Sequence, residues 1–164
     1  MFKEDTGVLT ISGSGSKMKS FKRYQTPWYS YASKIKTLKL SNAKNLTNIS
    51  AYAFADLVKL KSIAYNKNLK KIAGFSFLNT KSLKSIEIKS GVNSIGENAF
   101  KAGGLSKIIF KSAKTSVFSS SGTLPKKTVI YADNPSKAYN YAKNIREIPI
   151  FSSEKFVMRI ITSF

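Results

Sequence analysis

The chain has 164 residues, with 28 Lys or Arg against 8 Asp or Glu and a formal net charge of +20. That length favours one domain with a sizeable core, and a mean hydropathy of −0.18 fits a folded chain rather than a disordered one. The absence of Cys and His excludes disulfides, thiolate metal sites, haem ligation and nucleophile–base pairs built on either residue.

The excess charge is almost all Lys, because Arg23, Arg146 and Arg159 are the only arginines. It predicts attraction to polyanions such as nucleic acid, anionic glycan, teichoic acid or acidic lipid. Lys is also a generic solubilising residue, and a composition rich in Lys, Asn, Ser and Ile also fits an AT-rich coding sequence. Composition alone leaves both readings standing.

The N-terminus "MFKEDTGVLTISGSG" has no apolar run of the signal-peptide kind, and no segment approaches the ~18 apolar residues of a membrane span. If the natural protein is exported, this chain is expected to be a fragment or a processed form. "GVLTISGSG" reads as a strand followed by a Gly-Ser turn. "TPWYSY" then supplies Trp28, Tyr29 and Tyr31, bulky enough to cover the exposed first layer of a repeat stack.

From residue 35 onward the sequence is periodic. Three apolar columns advance by 23 residues: Leu46, Leu69, Val92; Ile49, Ile72, Ile95; and Phe54, Phe77, Phe100. Each is preceded by a second set, Ile35–Leu38–Leu40, Leu60–Ile63–Tyr65, Leu83–Ile86–Ile88 and Leu105–Ile108–Phe110. The first unit carries two extra residues between Leu40 and Leu46. The fourth is expected to lose its second half to the loop "KSAKTSVFSSSGTLP".

Each unit reads L-x-x-I-x-I, a polar turn, V-x-x-I, and a small-residue stretch ending in Ala-Phe. The x-I-x-I segment has strand period. One such unit cannot bury its apolar side alone, so neighbours must stack into a solenoid with a parallel sheet. At the C-terminal end "TVIY" (128–131) predicts a fifth strand. "DNPSKAYNYAKN" predicts a helix with an Asn N-cap, Pro at its first position and Ala138, Tyr141 and Ala142 inward. "REIPIF" predicts a short returning strand, and "FSSEKFVMRIITSF" fits neither repeat nor cap.

"LKSIEIKSGVNSIGENAF" (83–100), with its weaker copies at 35–54 and 60–77, resembles the repeat of the BspA-like leucine-rich repeat family of bacterial and protist surface proteins. The resemblance extends to the leader "GVLTISGSG…TPWYSY…IKTLKL" and to the terminal "VIYADNPSKAYNYAKN", covering roughly residues 7–150. It implies a right-handed leucine-rich-repeat solenoid of stacked short parallel strands with an irregular convex side, an N-terminal β cap and a C-terminal helical cap. The expected organisation is a cap over 1–32, repeats over 33–131, a C-terminal cap over 132–150 and a tail over 151–164. The family also implies a cell-surface or secreted setting and adhesion to host proteins or other cells, and it supplies no catalytic residues. Departures are the small number of turns, the many Lys and the unmatched tail.

Recognition chemistry is sought on the outward strand positions. Aligned by repeat, these are Lys36, Lys61, Lys84, Ser106; Thr37, Ser62, Ser85, Lys107; Lys39, Ala64, Glu87, Ile109; and Ser41, Asn66, Lys89, Lys111. Two ammonium groups about 4.8 Å apart on stacked strands repel by roughly 1 kcal/mol in water, so a Lys ladder is tolerated and would be relieved by a bound anion. The candidate contact residues are Lys36, Lys39, Lys61, Lys84, Glu87, Lys89, Lys107, Ile109 and Lys111. Solvated Lys that guards the sheet against aggregation is the competing reading. Tyr65 and Phe110 fall on inward columns and read as core; Ile109 is outward, unless the 112–125 loop covers it.

Catalysis finds no support. The acidic residues are scattered, Ser-x-x-Lys occurrences are expected by chance in so Ser- and Lys-rich a chain, and "GSGSK" (13–17) lacks phosphate-loop spacing. No cofactor or metal is expected. An Arg-poor chain lacks the forks used in base readout, which disfavours nucleic acid. Two functions remain in view. One is a non-catalytic module binding a host or neighbouring-cell protein, or an anionic glycan, through its sheet face. The other is a structural spacer with no ligand of its own.

Overall fold

The structure is a computed structural model that describes residues 1–145 and 150–151. The strands, in chain order, are β1 (Phe2–Lys3), β2 (Val8–Thr10), β3 (Thr37–Lys39), β4 (Asn48–Ile49), β5 (Ser62–Ala64), β6 (Lys71–Ile72), β7 (Ser85–Ile88), β8 (Ser94–Ile95), β9 (Lys107–Phe110), β10 (Ser116–Val117) and β11 (Val129–Tyr131); those over "GVLTISGSG", the x-I-x-I segments and 128–131 are the expected ones. Helix α1 (Lys137–Asn144) and β12 (Ile150–Phe151) close the described chain.

The first strand of each unit contributes to one side of the solenoid and the second strand to another. On the first side lie β1-β2-β3-β5 and β7-β9-β11-β12; on the second lies β4-β6-β8-β10. All pairs are parallel except β1 with β2, the N-terminal hairpin. The register is that of the sequence columns: Leu38 pairs with Ile63, Ile86 with Ile108, and Ile49 with Ile72 and then Ile95.

The Phe column is the axis of the core. Phe54, Phe77 and Phe100 are fully buried and stack at centroid separations of 5.6 and 5.4 Å. Trp28 continues the stack at 5.5 Å from Phe54 and donates its indole N–H to Ala53 O at 2.8 Å. Covering the first layer therefore falls to Trp28. Tyr31 packs on Phe2 and Tyr29 on Tyr24, yet both remain about 40% exposed, Tyr29 at 41% and Tyr31 at 40%.

The convex turns repeat in their backbone as well. Tyr52, Phe75 and Asn98 adopt φ of 57°, 57° and 53°, and Asp56, Asn79 and Ala102 adopt 63°, 61° and 54°. Left-handed backbone at the same two positions of each unit lets the chain double back within a 23-residue turn, although none of the six is Gly. Successive turns also approach so closely that some positions admit only Gly: a Cβ on Gly96 would lie 2.5 Å from Gly74 N.

The fourth unit departs from expectation. It keeps its second strand, since β10 pairs with β8 (Ser116 with Ser94, Val117 with Ile95). Thr115 is buried in the place of Val92 and donates to Val92 O at 2.6 Å. Phe100 N donates to Thr123 O just as Phe77 N donates to Ala99 O, which puts Leu124, also buried, at the end of the Phe column. Polar Thr residues stand where the earlier units have Val and Ala, so the apolar signal fades while the geometry persists.

The C-terminal helix also starts later than its sequence signals indicate. Ser136, not Asn134, is the N-cap: its backbone is extended and its Oγ accepts from Tyr139 N at 3.0 Å, leaving Pro135 outside the helix. The inward residues are Ala138, Tyr141 and Ala142 as the spacing requires. Ile150 and Phe151 pair with Ile130 and Tyr131, while the rest of "REIPIF" and residues 152–164 lie outside the described residues.

Candidate binding surface

The outward residues of β3, β5, β7, β9 and β11 form the surface on which the candidate residues lie. Strand pairing sets two of the expected columns side by side: Thr37 with Ser62 and Ser85 with Lys107, then Lys39 with Ala64 and Glu87 with Ile109. Lys36 and Lys61 immediately precede paired residues, so they sit on adjacent strands, joined by Lys61 N to Lys36 O at 2.8 Å.

The candidates differ in what already engages them. Lys36, Lys39 and Lys61 are exposed, and among the described residues no ion pair joins them to a carboxylate. Lys84 is exposed and donates to Lys81 O at 2.9 Å. The Lys89 ammonium donates to Tyr65 O at 2.8 Å and lies 5.0 Å from the Tyr65 ring centroid. Lys107 is half-buried, with its ammonium 4.7 Å from the Tyr131 ring centroid. Lys111 reaches Glu87 at 3.8 Å, an exposed pair worth little. Ile109 is half-buried between Glu87 and Tyr131 of the neighbouring strands.

One feature was invisible to column alignment. The face sheet is interrupted between β5 and β7, which share no ladder. Lys84 therefore stands across a break from Lys61 rather than one ladder step away. Tyr65 is buried as its inward column requires, but its hydroxyl donates to Glu87 O and accepts from Lys89 N at 3.1 Å. Burial holds the phenol above its ordinary pKa, with the Lys89 amide acting in the opposite direction. The sequence signal was the Tyr itself, whose hydroxyl needs a partner where the other units place Leu, Ile or Phe. Beside it Ile63 is only half-buried, whereas Leu38 and Ile108 in the same column are fully buried.

Elsewhere, a bidentate ion pair lies on the convex side, where Arg23 Nε and Nη2 donate to the Asp56 carboxylate at 2.9 and 2.8 Å and Asn79 adds a third bond at 2.9 Å. The Arg23 hydrogen bonds hold the Asp56 carboxyl below its ordinary pKa. Among the described residues no group of three or more acidic side chains is placed to hold a metal ion, and no helix is long and apolar enough to cross a membrane.

Known proteins share this architecture. No curated protein sequence matches the chain. Among solved structures, the pneumococcal vaccine antigen PcpA is similar over 94% of this chain and 42% of its own, with a TM-score of 0.59 and 20% identity. A leucine-rich repeat protein from Eubacterium ventriosum is similar over 93% of this chain and 41% of its own, with a TM-score of 0.55 and 22% identity. The chain thus spans about two fifths of the length of either protein, and at that identity the likeness concerns the fold. The sequence profile of the BspA type leucine rich repeat region matches residues 25–146 in six copies. With stacked parallel strands in register and a repeat match over most of its length, the chain belongs to the BspA-type leucine-rich repeat family.

Proposed function

We propose that this chain is a non-catalytic binding module of a cell-surface or secreted protein, recognising a protein or an anionic glycan through its sheet face. The observation that carries the reading is the cluster of exposed Lys39 on β3 and Lys36 and Lys61 immediately before β3 and β5, with no carboxylate partner among the described residues, in a chain of formal charge +20. Such an unneutralised patch raises the rate and affinity of encounter with an anionic partner. Membership of a repeat family and the fold shared with a vaccine antigen support the surface setting.

The site residues in this reading are Lys36, Lys39, Lys61 and Lys84, with Glu87, Lys89, Lys107, Ile109 and Lys111 forming the rest of the contact surface. The charge mechanism is tested by binding to immobilised heparin and to an acidic protein from low salt to about 0.5 M, where the Debye length falls well below 10 Å. Affinity is expected to fall steeply. Affinity independent of salt contradicts the mechanism, and failure of both probes to bind at low salt leaves the chain as a spacer.

A further inference from the structure

The break between β5 and β7 has a definite chemical form. At the β3–β5 step, Lys61 N donates to Lys36 O at 2.8 Å. At the β7–β9 step, Lys107 N donates to Lys84 O at 3.1 Å and Lys111 N to Ile88 O at 2.9 Å. The equivalent β5–β7 bonds would join Lys84 N or Ser85 N to Lys61 O and Lys89 N to Tyr65 O. None of these forms. Lys89 N goes to the Tyr65 hydroxyl instead, and Tyr65 O is taken by the Lys89 ammonium.

Side chains thus close one end of the break, and Ser82 N closes the other by donating to Val58 O at 3.1 Å. Between them the strands border a cleft of about 470 Å³ lined by Lys61, Ser62, Ile63, Ala64, Ser85 and Ile86. Two strand edges that lack their mutual ladder face each other across it, with the half-buried Ile63 at its floor. Backbone groups in that position need donors and acceptors in alternation along the strand direction.

We infer that this cleft takes an extended, acidic peptide segment of another protein, inserted as an additional strand between β5 and β7. The inference rests on the sheet face being a recognition surface and names its ligand class. An extended backbone offers donors and acceptors at the roughly 3.3 Å repeat of the facing strands, which sugar hydroxyls do not. Alternate side chains of the inserted strand would meet the apolar floor at Ile63 and Ile86. The others would point outward beside Lys61 and Lys89, while the one acidic residue on the cleft, Glu87, is already paired with Lys111. In the complex β5 and β7 lie two ladder steps apart, roughly 9.6 Å.

The test uses the whole chain and three probes. One is a fluorescein-labelled hexapeptide alternating valine and glutamate, the second is the same peptide N-methylated at alternate amides, and the third is heparin. The unmethylated peptide is expected to bind, and methylation to weaken it by about tenfold or more through lost backbone donors. Amide exchange at residues 62–64 and 85–87 is expected to slow on binding, with the β4-β6-β8-β10 sheet unaffected. Affinities of the two peptides within about twofold would overturn the inference and leave charge-driven recognition standing. So would heparin binding without peptide binding, or protection of the same amides through self-association. Failure of every probe to bind removes the broader reading as well.

Discussion

Replacing Phe77 by Ala removes the middle ring of the aromatic axis. The side chain is fully buried and stacked on both faces, 5.6 Å from Phe54 and 5.4 Å from Phe100, so neither neighbour can collapse into the space without leaving its own layer. Lost transfer energy and the residual cavity together cost about 3–5 kcal/mol, against a total of order 10 kcal/mol for a domain of this size. Because each turn contacts only its neighbours, the loss falls at one inter-repeat interface. Urea unfolding followed by circular dichroism should show a lowered midpoint and a broader, less cooperative transition. Phe118→Ala is the control, since Phe118 is 49% exposed and its loss should change stability by no more than about 0.5 kcal/mol. If Phe77→Ala costs less than about 1 kcal/mol, the stacked-column account of the core is wrong.

Two further predictions concern the convex side. Ala102 is exposed with φ of 54°, so Ala102→Gly relieves left-handed strain of about 1–2 kcal/mol and gives back about 0.5–1 kcal/mol in unfolded-state entropy. A small net gain in urea midpoint is expected, and a clear loss would mean the turn is not strained there. Asp56 has its folded pKa lowered by Arg23, so this stabilisation is present above the unfolded value near pH 4 and is lost as pH falls through the folded one. Arg23→Gln should therefore be about 1 kcal/mol less stable than the parent at pH 7, with the two converging toward pH 2. A gap that persists at pH 2 would show that Arg23 acts through packing instead.

The solenoid was legible because its core positions are apolar and spaced by a constant 23 residues, as at Ile49, Ile72 and Ile95. Legibility failed where geometry outlasts hydrophobicity. Thr115 and Thr123 hold repeat positions by hydrogen-bonding to backbone or presenting their own, and an apolar template passes over them. The expected Asn134 cap placed the start of α1 two residues early, because Ser136 rather than Asn134 meets the Tyr139 amide. On the face, alignment set the candidate lysines in columns but carried no information on ladder continuity. That depends on where the Tyr65 hydroxyl finds its partners, and Tyr65 reads in sequence as one more core residue.

In the proposed function, three lysines of the sheet face matter more than the chain's total charge. Lys36, Lys61 and Lys84 changed together to Gln remove the same charge as Lys22, Lys101 and Lys143 changed together to Gln, all exposed and off the face strands. Heparin affinity of the two triple variants at one low salt concentration, with thermal stability as the control, separates site from composition. The face variant should lose at least about tenfold in affinity and the other only a little, with stability unchanged in both. Equal losses in the two variants would contradict the proposed function and leave the charge to solubility alone.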